Sequence, residues 1–216
     1  NETIRIEDSS TINNFNWGSN NWSAELWFYI DRASWWGSTS YWTQLFKNEG
    51  SGMLQSALNV DGTGKLEAYW QSSAAGWLNL ESTVTMSTRT WHHIVHERYN
   101  NKIYIYLDGT KVVEMSLTSG NETMRWYNSN QKFYIYNSNN IANNVYLNEI
   151  RVMNSAQHNG TNFTPPTAPY LEKSVNLNTK LRIGSSSSNV TLKNASYNTN
   201  SVTLTLPPNT GTDGYF

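Results

Sequence analysis

The chain has 216 residues, a formal net charge of −1 and 14% charged residues, whereas roughly a quarter is usual in globular domains. A near-neutral chain lacks the basic surface with which proteins bind nucleic acid or anionic membranes. No apolar run approaches the roughly 20 residues of a membrane span. The absence of cysteine excludes disulfides and thiolate metal sites. We therefore expect a polar but uncharged surface, no nucleic-acid partner and no insertion into a membrane.

Alternation of aliphatic with aromatic or polar residues predicts β-strands along most of the chain. The clearest segments are Glu25–Ile30, Lys65–Trp70, Lys102–Leu107, Lys132–Tyr136 and Tyr146–Val152. Asn100-Asn101 and Asp108-Gly109 separate neighbouring strands and are typical of hairpin turns. No segment has the periodicity of an amphipathic helix. The pattern predicts an all-β antiparallel sandwich or barrel.

The same alternation divides the strand residues between two faces. The set expected in the core is Leu26, Phe28, Ile103, Ile105, Phe133 and Ile135. The set expected on the outer faces is Trp27, Tyr29, Tyr104, Tyr106, Tyr134 and Tyr136. In the last strand, Leu147, Glu149 and Arg151 are expected to oppose Tyr146, Asn148, Ile150 and Val152. Because large apolar patches are rarely left bare, we favour covering of the outer aromatic rings by loops, by a C-terminal strap or by another subunit. An aromatic ligand face is the alternative.

The composition of the sequence changes after residue 162 and again after residue 170, so we divide the chain into three parts. Residues 1–162 form the predicted sandwich. Residues 163–170 hold three of the five prolines and are expected to form an extended strap, because proline cannot donate to a sheet ladder. Residues 171–216 contain short strand-like runs, Lys180–Ile183, Val190–Lys193 and Ser201–Leu206, with few apolar residues. We expect them to form an extended, β-rich tail that continues beyond Phe216 and needs partner chains.

No pair of carboxylates has the spacing of a catalytic site. Glycoside hydrolases need two carboxyl groups about 5 Å apart or somewhat more, and on one strand this requires acids two or four residues apart. Glu149 has no such neighbour, and Glu25 and Asp31 are six residues apart. Other strands are still able to bring two acids together. We predict no catalytic residues and no enzymatic activity, with a polysaccharide hydrolase as the less favoured alternative.

The sequence requires no cofactor, and calcium is the one ion considered. Asp31, Asp61 and Asp108 each lie at a strand end, beside loop carbonyls that are suitable calcium ligands. They are weak metal candidates, since no spacing resembles that of an EF-hand loop. His92 and His96 share one face of a strand, as a metal pair would, but ordinary hydrogen bonds are the favoured interpretation.

The segment SWWGSTSYW, residues 34–42, places four aromatic residues in a predicted loop. Aromatic rings offer large contact area and a face for the C–H groups of a sugar. Trp35, Trp36, Tyr41 and Trp42 are therefore the candidate ligand-binding residues. Packing of all four rings against the end of the sandwich is the alternative.

The strand pair around Trp91 resembles a known family. Thr90–Val95, the turn at Asn100-Asn101 and Lys102–Thr110 are similar to the W-H-H-I … L-Y-I-Y-x-D-G hairpin of concanavalin A-like, laminin G-type domains. Ala24–Ile30 resembles the first core strand of that family. Tyr146–Met153 resembles its last strand, Y-[IL]-D-E-[VI]-R, with Asn148 in place of the usual Asp. The resemblance covers roughly residues 1–170 and implies a jelly-roll-like β-sandwich.

Two further segments resemble proteins of tailed bacteriophages. Asn162–Tyr170 is similar to the exit of laminin G-type modules in virion proteins, and Thr203–Phe216 is similar to the stem modules of phage fibres. The resemblance implies a homotrimeric, extracellular protein on the virion surface that contacts other virion proteins. We expect a fibre or spike protein that attaches non-covalently to host-surface glycans. A structural fibre or capsid decoration subunit without receptor binding is the alternative.

Overall fold

The alternating segments fold into two antiparallel sheets that form a sandwich. The computed structural model describes residues 3–6, 17–40, 42–50, 53–72, 76–118, 120–125, 132–139, 145–167 and 182–183. Their strands are β1 (Thr3–Ile6), β2 (Trp22–Ile30), β3 (Trp42–Gly50), β4 (Met53–Asp61), β5 (Lys65–Ser72), β6 (Gly76–Thr85), β7 (His92–Tyr99), β8 (Lys102–Leu107), β9 (Thr110–Ser116), β10 (Lys132–Asn139), β11 (Val145–Met153) and β12 (Arg182–Ile183). One sheet has seven strands in the order β12-β1-β10-β3-β4-β5-β6, and the other has five in the order β11-β2-β7-β8-β9.

Each of the five clearest alternating segments lies within a strand. The segments within β2, β5, β8, β10 and β11 are confirmed, and so are the two turns. Asn100, Asn101, Asp108 and Gly109 all have positive φ, which suits two-residue turns that follow the twist of the flanking strands. Among the described residues no helix is long and apolar enough to span a membrane.

The interior of the sandwich contains the predicted apolar residues. Leu26, Phe28, Ile103, Ile105 and Phe133 are buried in one cluster to which both sheets contribute, and Ile135 packs against it. The stacked indoles of Trp17 and Trp22, with ring centroids 4.3 Å apart, belong to the same cluster. The core assignment made from the alternation is therefore confirmed.

The predicted alternation of β11 is wrong after Asn148. The register against β2 shifts between Asn148 and Arg151, and Glu149 has φ +49°. This bulge inserts one extra residue into the strand, so Arg151 pairs with Glu25 and lies on the same face as Tyr146 and Asn148. The strand therefore brings a guanidinium to a buried carboxylate.

Residues 154–167, called the covering segment below, lie over the outer face of the five-stranded sheet. Phe163 packs against Tyr104 and Tyr106, which are 6% and 0% exposed. Its N–H donates to the carbonyl of Gly109 over 2.9 Å. A Cβ at Gly109 would lie 2.0 Å from the Phe163 carbonyl oxygen, so only glycine permits this approach. Covering of these two tyrosines is confirmed, and part of the predicted strap contributes to it.

Two residues of the predicted tail, 182 and 183, are among the described residues. Arg182–Ile183, within the predicted run Lys180–Ile183, pairs with Ile4 and Arg5 of β1 at the edge of the seven-stranded sheet. The predicted strands Val190–Lys193 and Ser201–Leu206 lie outside the described residues.

Candidate functional site

The β2–β3 loop lies at one end of the sandwich, beside two other connections. The Gly37 N–H donates to the carbonyl of Gly62 in the β4–β5 turn over 2.7 Å. The Trp35 indole N–H donates to the carbonyl of Met86, just after β6, over 2.6 Å. These two hydrogen bonds hold the β2–β3 loop against the β4–β5 turn and against the segment that follows β6.

Trp35 serves as the anchor of this loop. Its side chain is half-buried and packs against the core. A Cβ at Gly64 would lie 2.4 Å from the indole nitrogen of Trp35. The indole therefore occupies the space that a side chain at Gly64 would need, and its hydrogen bond to Met86 fixes its orientation.

Trp36 is also half-buried and packs against the core, but its ring has a cation beside it. Its ring centroid is 6.1 Å from that of Trp35, and the Arg32 guanidinium carbon lies 4.1 Å from the Trp36 centroid. Arg32 Nε also donates to the carbonyl of Ser34 over 3.1 Å. The loop thus holds an aromatic ring and a guanidinium together, next to the small polar residues of its tip, of which Thr39 and Ser40 are exposed.

The remaining loop candidates are only partly located. Tyr41 lies outside the described residues. Trp42 is half-buried and begins β3, where it pairs with Asp61 of β4 and Asn139 of β10. The structure thus brings Trp35 and Trp36 together, and the ligand-binding role of the four aromatic residues stays a prediction.

The three aspartates considered for calcium each have local partners. Asp31 pairs with Arg89 Nε at 3.2 Å. Asp61 Oδ1 accepts the N–H groups of Thr63 and Lys65, both at 2.9 Å, and so fixes the β4–β5 turn. In the described part of the chain no group of three or more His, Cys, Asp or Glu side chains is arranged to hold a metal ion.

Asp108 and the histidines of β7 also lie against local partners. Asp108 accepts the His93 N–H at 2.9 Å and contacts His92 Nδ1 at 2.7 Å. His96 is buried against the edge of the Trp22 ring, with centroids 4.8 Å apart. Burial lowers the pKa of His96 to about 3. His92 thus makes ordinary hydrogen bonds, as the favoured interpretation expects, and metal binding by His92 and His96 stays the less favoured alternative.

Two carboxylates that the sequence did not pair lie together beneath the covering segment. In β2 and β7 the register pairs Glu25 with Val95 and Ser23 with Glu97, so Glu25 and Glu97 are diagonal neighbours on one face. Both side chains are fully buried. No local sequence pattern reveals this pair, because the two acids come from β2 and β7, which are far apart in the chain.

Each of these carboxylates has dedicated partners. Glu25 contacts His93 Nε2 at 3.3 Å and His158 Nε2 at 3.5 Å, and it accepts a 2.6 Å hydrogen bond from Arg151 Nε. Burial opposes its ionisation, but the bonds from His158, His93 and Arg151 outweigh burial and hold the pKa of Glu25 well below its usual range. The Glu97 carboxylate binds the covering segment by accepting the N–H groups of Gln157 and His158 at 2.6 and 2.8 Å.

A second group of aromatic side chains stays exposed on the outer face of the five-stranded sheet. Trp91 and Tyr146 are 43% and 51% exposed. Between them lies the half-buried Tyr29, with its ring centroid 5.4 Å from Trp91 and 5.8 Å from Tyr146. We call these three residues the aromatic ridge. The sequence pattern showed only Tyr29 as an outer aromatic residue, because Trp91 precedes its strand and Tyr146 was placed only opposite Leu147, with neither face assigned to the core.

Comparison with solved structures finds similar sandwiches at low sequence identity. The receptor-binding domain of botulinum neurotoxin mosaic serotype C/D matches with a TM-score of 0.51 and 14% identity, over 68% of this chain and 36% of that chain. Trypanosoma rangeli sialidase in complex with sialic acid matches with a TM-score of 0.45 and 14% identity, over 64% of this chain and 21% of that chain. This chain therefore spans only a minor part of those proteins, and the likeness concerns the fold alone.

Comparison of sequences is more specific about the family. No curated protein matches the chain significantly. The family model described as the concanavalin A-like lectin/glucanases superfamily matches residues 5–159, which is more than two thirds of the chain. The matched range begins in β1 and ends in the covering segment, so it includes the strands of both sheets up to β11. The chain belongs to the concanavalin A-like lectin/glucanase superfamily.

Proposed function

We propose that this chain is a carbohydrate-binding module of a tailed-phage fibre or spike, which attaches the virion to glycans on the host surface. Binding is non-covalent and involves the end of the sandwich formed by the β2–β3 loop. The observation that carries the proposal is the pairing of Trp36 with Arg32 on a loop that Trp35 anchors. The module acts as a homotrimer together with other virion proteins.

The chemistry of the loop suits a sugar. An aromatic ring contributes the apolar surface on which sugar C–H groups stack, and a few placed polar groups give orientation. Arg32 places a guanidinium group beside the ring, and Thr39 and Ser40 supply exposed hydroxyl groups. The membership of a lectin and glucanase superfamily supports the same ligand class.

The virion assignment is supported by the resemblances in the second half of the chain. Asn162–Tyr170 and Thr203–Phe216 are similar to segments of phage virion proteins and occur in the order expected for a module followed by a stem. A weak single site is sufficient for attachment, because several copies on one particle gain affinity through avidity.

Attachment without hydrolysis is favoured by the positions of the acids. Glu67 and Glu81, which the register of β5 and β6 places opposite each other, are engaged by Asn79 and Lys65. Glu25 and Glu97, which neighbouring strands also bring to one face, are both fully buried beneath the covering segment. A polysaccharide does not reach them in this arrangement. Their bonds to Arg151 and to backbone N–H groups of the segment account for both charges.

The test is a glycan array and a host-cell binding assay with the purified protein, each with and without EDTA. Trp36→Ala is compared with the wild type. Trp77→Ala serves as the matched control, since Trp77 is 45% exposed on β6, away from the loop. We expect specific binding that Trp36→Ala weakens about tenfold and that Trp77→Ala leaves unchanged. Loss of binding in EDTA would add calcium to the site.

Other results identify the alternatives. A well-folded wild type that binds no glycan and no host cell supports the structural subunit. Release of reducing sugar from a bound polysaccharide supports a hydrolase. Equal binding by wild type and Trp36→Ala removes the loop from the site, and its aromatic residues are then packing residues.

A further inference from the structure

We propose that the aromatic ridge of Tyr29, Trp91 and Tyr146 is a second carbohydrate-binding surface, which takes a single soluble chain of neutral hexoses. The inference rests on the proposed function for its ligand class, but it concerns residues on a different face from the β2–β3 loop. The ridge lies on the outer face of the five-stranded sheet, the same face that the covering segment partly covers.

The rings leave their faces and hydroxyl groups available. Trp91 is 43% and Tyr146 is 51% exposed. Within the described residues the phenol groups of Tyr29 and Tyr146 make no hydrogen bond. Elsewhere on this sheet Tyr104 and Tyr106 are buried by the covering segment, so among the described residues the ridge is an exposed part of the outer aromatic stripe on this sheet.

The angles between the rings indicate the form of the ligand. The plane of Tyr29 is tilted by 44° from that of Trp91 and by 71° from that of Tyr146. A flat crystalline polysaccharide requires coplanar rings, because its sugar faces lie in one plane. A bent row of rings instead follows a single chain whose successive sugars are rotated relative to one another.

Polar groups lie on both sides of the ridge along the strand direction. The ion pair of Asp31 and Arg89 follows Tyr29 and precedes Trp91 in the chain, and the Arg89 backbone N–H donates to the carbonyl of Ile30. On the opposite side Asn148 lies two residues along β11 on the same face as Tyr146, and its Oδ1 accepts the Glu149 N–H at 3.0 Å, so its amide N–H groups remain as donors. Aromatic faces with a few polar groups at the margin suit sugar hydroxyls. The charges cancel, which favours a neutral sugar.

The size of the ridge favours a sugar over a second copy of the chain. With Trp91 43% and Tyr146 51% exposed and Tyr29 half-buried, three rings of about 200 Å² each offer roughly 200–250 Å² of aromatic surface. A standard protein interface takes about 800 Å² from each partner. A contact of two or three sugars matches the smaller area.

The test uses the full chain and the variants Trp91→Ala, Tyr146→Ala and Tyr146→Phe. Their binding to an array of neutral hexose oligosaccharides is measured, and the strongest oligosaccharide is followed by saturation-transfer NMR. Microcrystalline cellulose serves as the flat probe. We expect three- to tenfold weaker binding for both alanine variants. Tyr146→Phe keeps the ring and is expected to bind with nearly wild-type affinity. No variant is expected to be retained on cellulose. Sedimentation of each variant reports the oligomeric state.

The outcomes separate this inference from the proposed function. If the wild type binds oligosaccharides and Trp36→Ala weakens binding while Trp91→Ala and Tyr146→Ala do not, the ridge is not a sugar site and the proposed function stands. If the wild type binds no glycan, both fail. A smaller oligomer in Trp91→Ala shows instead that the ridge is an interface between copies and overturns the inference.

Discussion

Arg151 Nε donates a 2.6 Å hydrogen bond to Glu25 Oε1, although 126 residues separate them in the chain. The bulge in β11 makes this contact possible, because it turns Arg151 onto the outer face of the sheet, where Glu25 lies. The same carboxylate contacts His93 and His158. One buried carboxylate therefore joins β2 both to the edge strand β11 and to the covering segment.

The first prediction is that Glu25→Gln destabilises the fold. The substitution removes the negative charge and leaves Arg151 facing two histidines without compensation. Breaking a buried ion pair by changing one partner typically costs about 3–5 kcal/mol, and we expect a loss toward the lower end because Arg151 is 30% exposed. Urea unfolding at pH 7 measures it. Glu114→Gln is the control, since Glu114 pairs with Lys102 and Lys111 at the surface. Equal midpoints for the two variants would contradict the prediction.

The second prediction concerns acid sensitivity. Burial lowers the pKa of His96 from its ordinary 6.5 to about 3. Below pH 6.5 the unfolded chain therefore binds a proton that the folded chain does not, and stability falls with the pH. The slope from this group is about 1 kcal/mol per pH unit. The Glu25 carboxylate contributes stability that is complete above pH 4.5 and is lost only at lower pH.

The measurement for His96 is urea unfolding between pH 6.5 and pH 5, a window in which Glu25 does not titrate. We expect His96→Leu to lose less stability than the wild type on acidification across this range. Leucine keeps the site apolar at a similar volume. Parallel pH profiles for the two proteins would show that His96 is not the group responsible.

The third prediction is that Gly64→Ala disturbs the β2–β3 loop. Gly64 has φ +86°, and a Cβ there would lie 2.4 Å from Trp35 Nε1. Gly37→Ala is a matched control, because Gly37 has φ +76° with open space around it and suffers backbone strain alone. We expect about 1 kcal/mol of destabilisation for Gly37→Ala and clearly more for Gly64→Ala. Thermal unfolding compares them, and a Gly64 variant no worse than the Gly37 variant would refute the packing of Trp35.

The fourth prediction is that Glu97→Gln loosens the covering segment. Glu97 Oε2 accepts the N–H groups of Gln157 and His158, and Oε1 accepts the Tyr106 hydroxyl and the Gly160 N–H. An amide places an NH₂ group where one of these acceptor oxygens is needed. We expect faster hydrogen exchange in residues 155–163, with the strands of the seven-stranded sheet unchanged. Uniformly faster exchange would indicate global destabilisation instead, and unchanged exchange would show that the carboxylate does not hold the segment.

The fold was largely predictable because its strands carry local alternation. Ile103 and Ile105 repeat against Tyr104 and Tyr106 within six residues, and Asp108-Gly109 marks the turn that follows. In contrast, β4 and β6 were not predicted. Both faces of β4 are buried, with Ala57 and Asn59 at 1% and 5% exposure beside Leu58 and Val60, so small and polar residues blur its alternation. In β6 a run of three polar residues, 81–83, follows Leu80.

The site was less predictable, since its contacts join distant parts of the chain. The aromatic content of residues 34–42 marked Trp35 and Trp36, but not the hydrogen bond of Trp35 to Met86. The pairing of Glu25 with Arg151 depends on a bulge, and bulges have no reliable local signature in a strand such as β11. The aromatic ridge likewise needs the register that places Tyr146 opposite Tyr29.

The most direct test of carbohydrate binding at the β2–β3 loop is an NMR titration of the ¹⁵N-labelled protein with the strongest glycan from the array. Indole N–H resonances report each tryptophan separately. Our account predicts shifts for the Trp36 indole, while the indoles of Trp22 and Trp70, which lie in the core, stay in place. Saturating glycan that leaves the Trp36 resonance and the neighbouring loop amides unshifted would contradict the account.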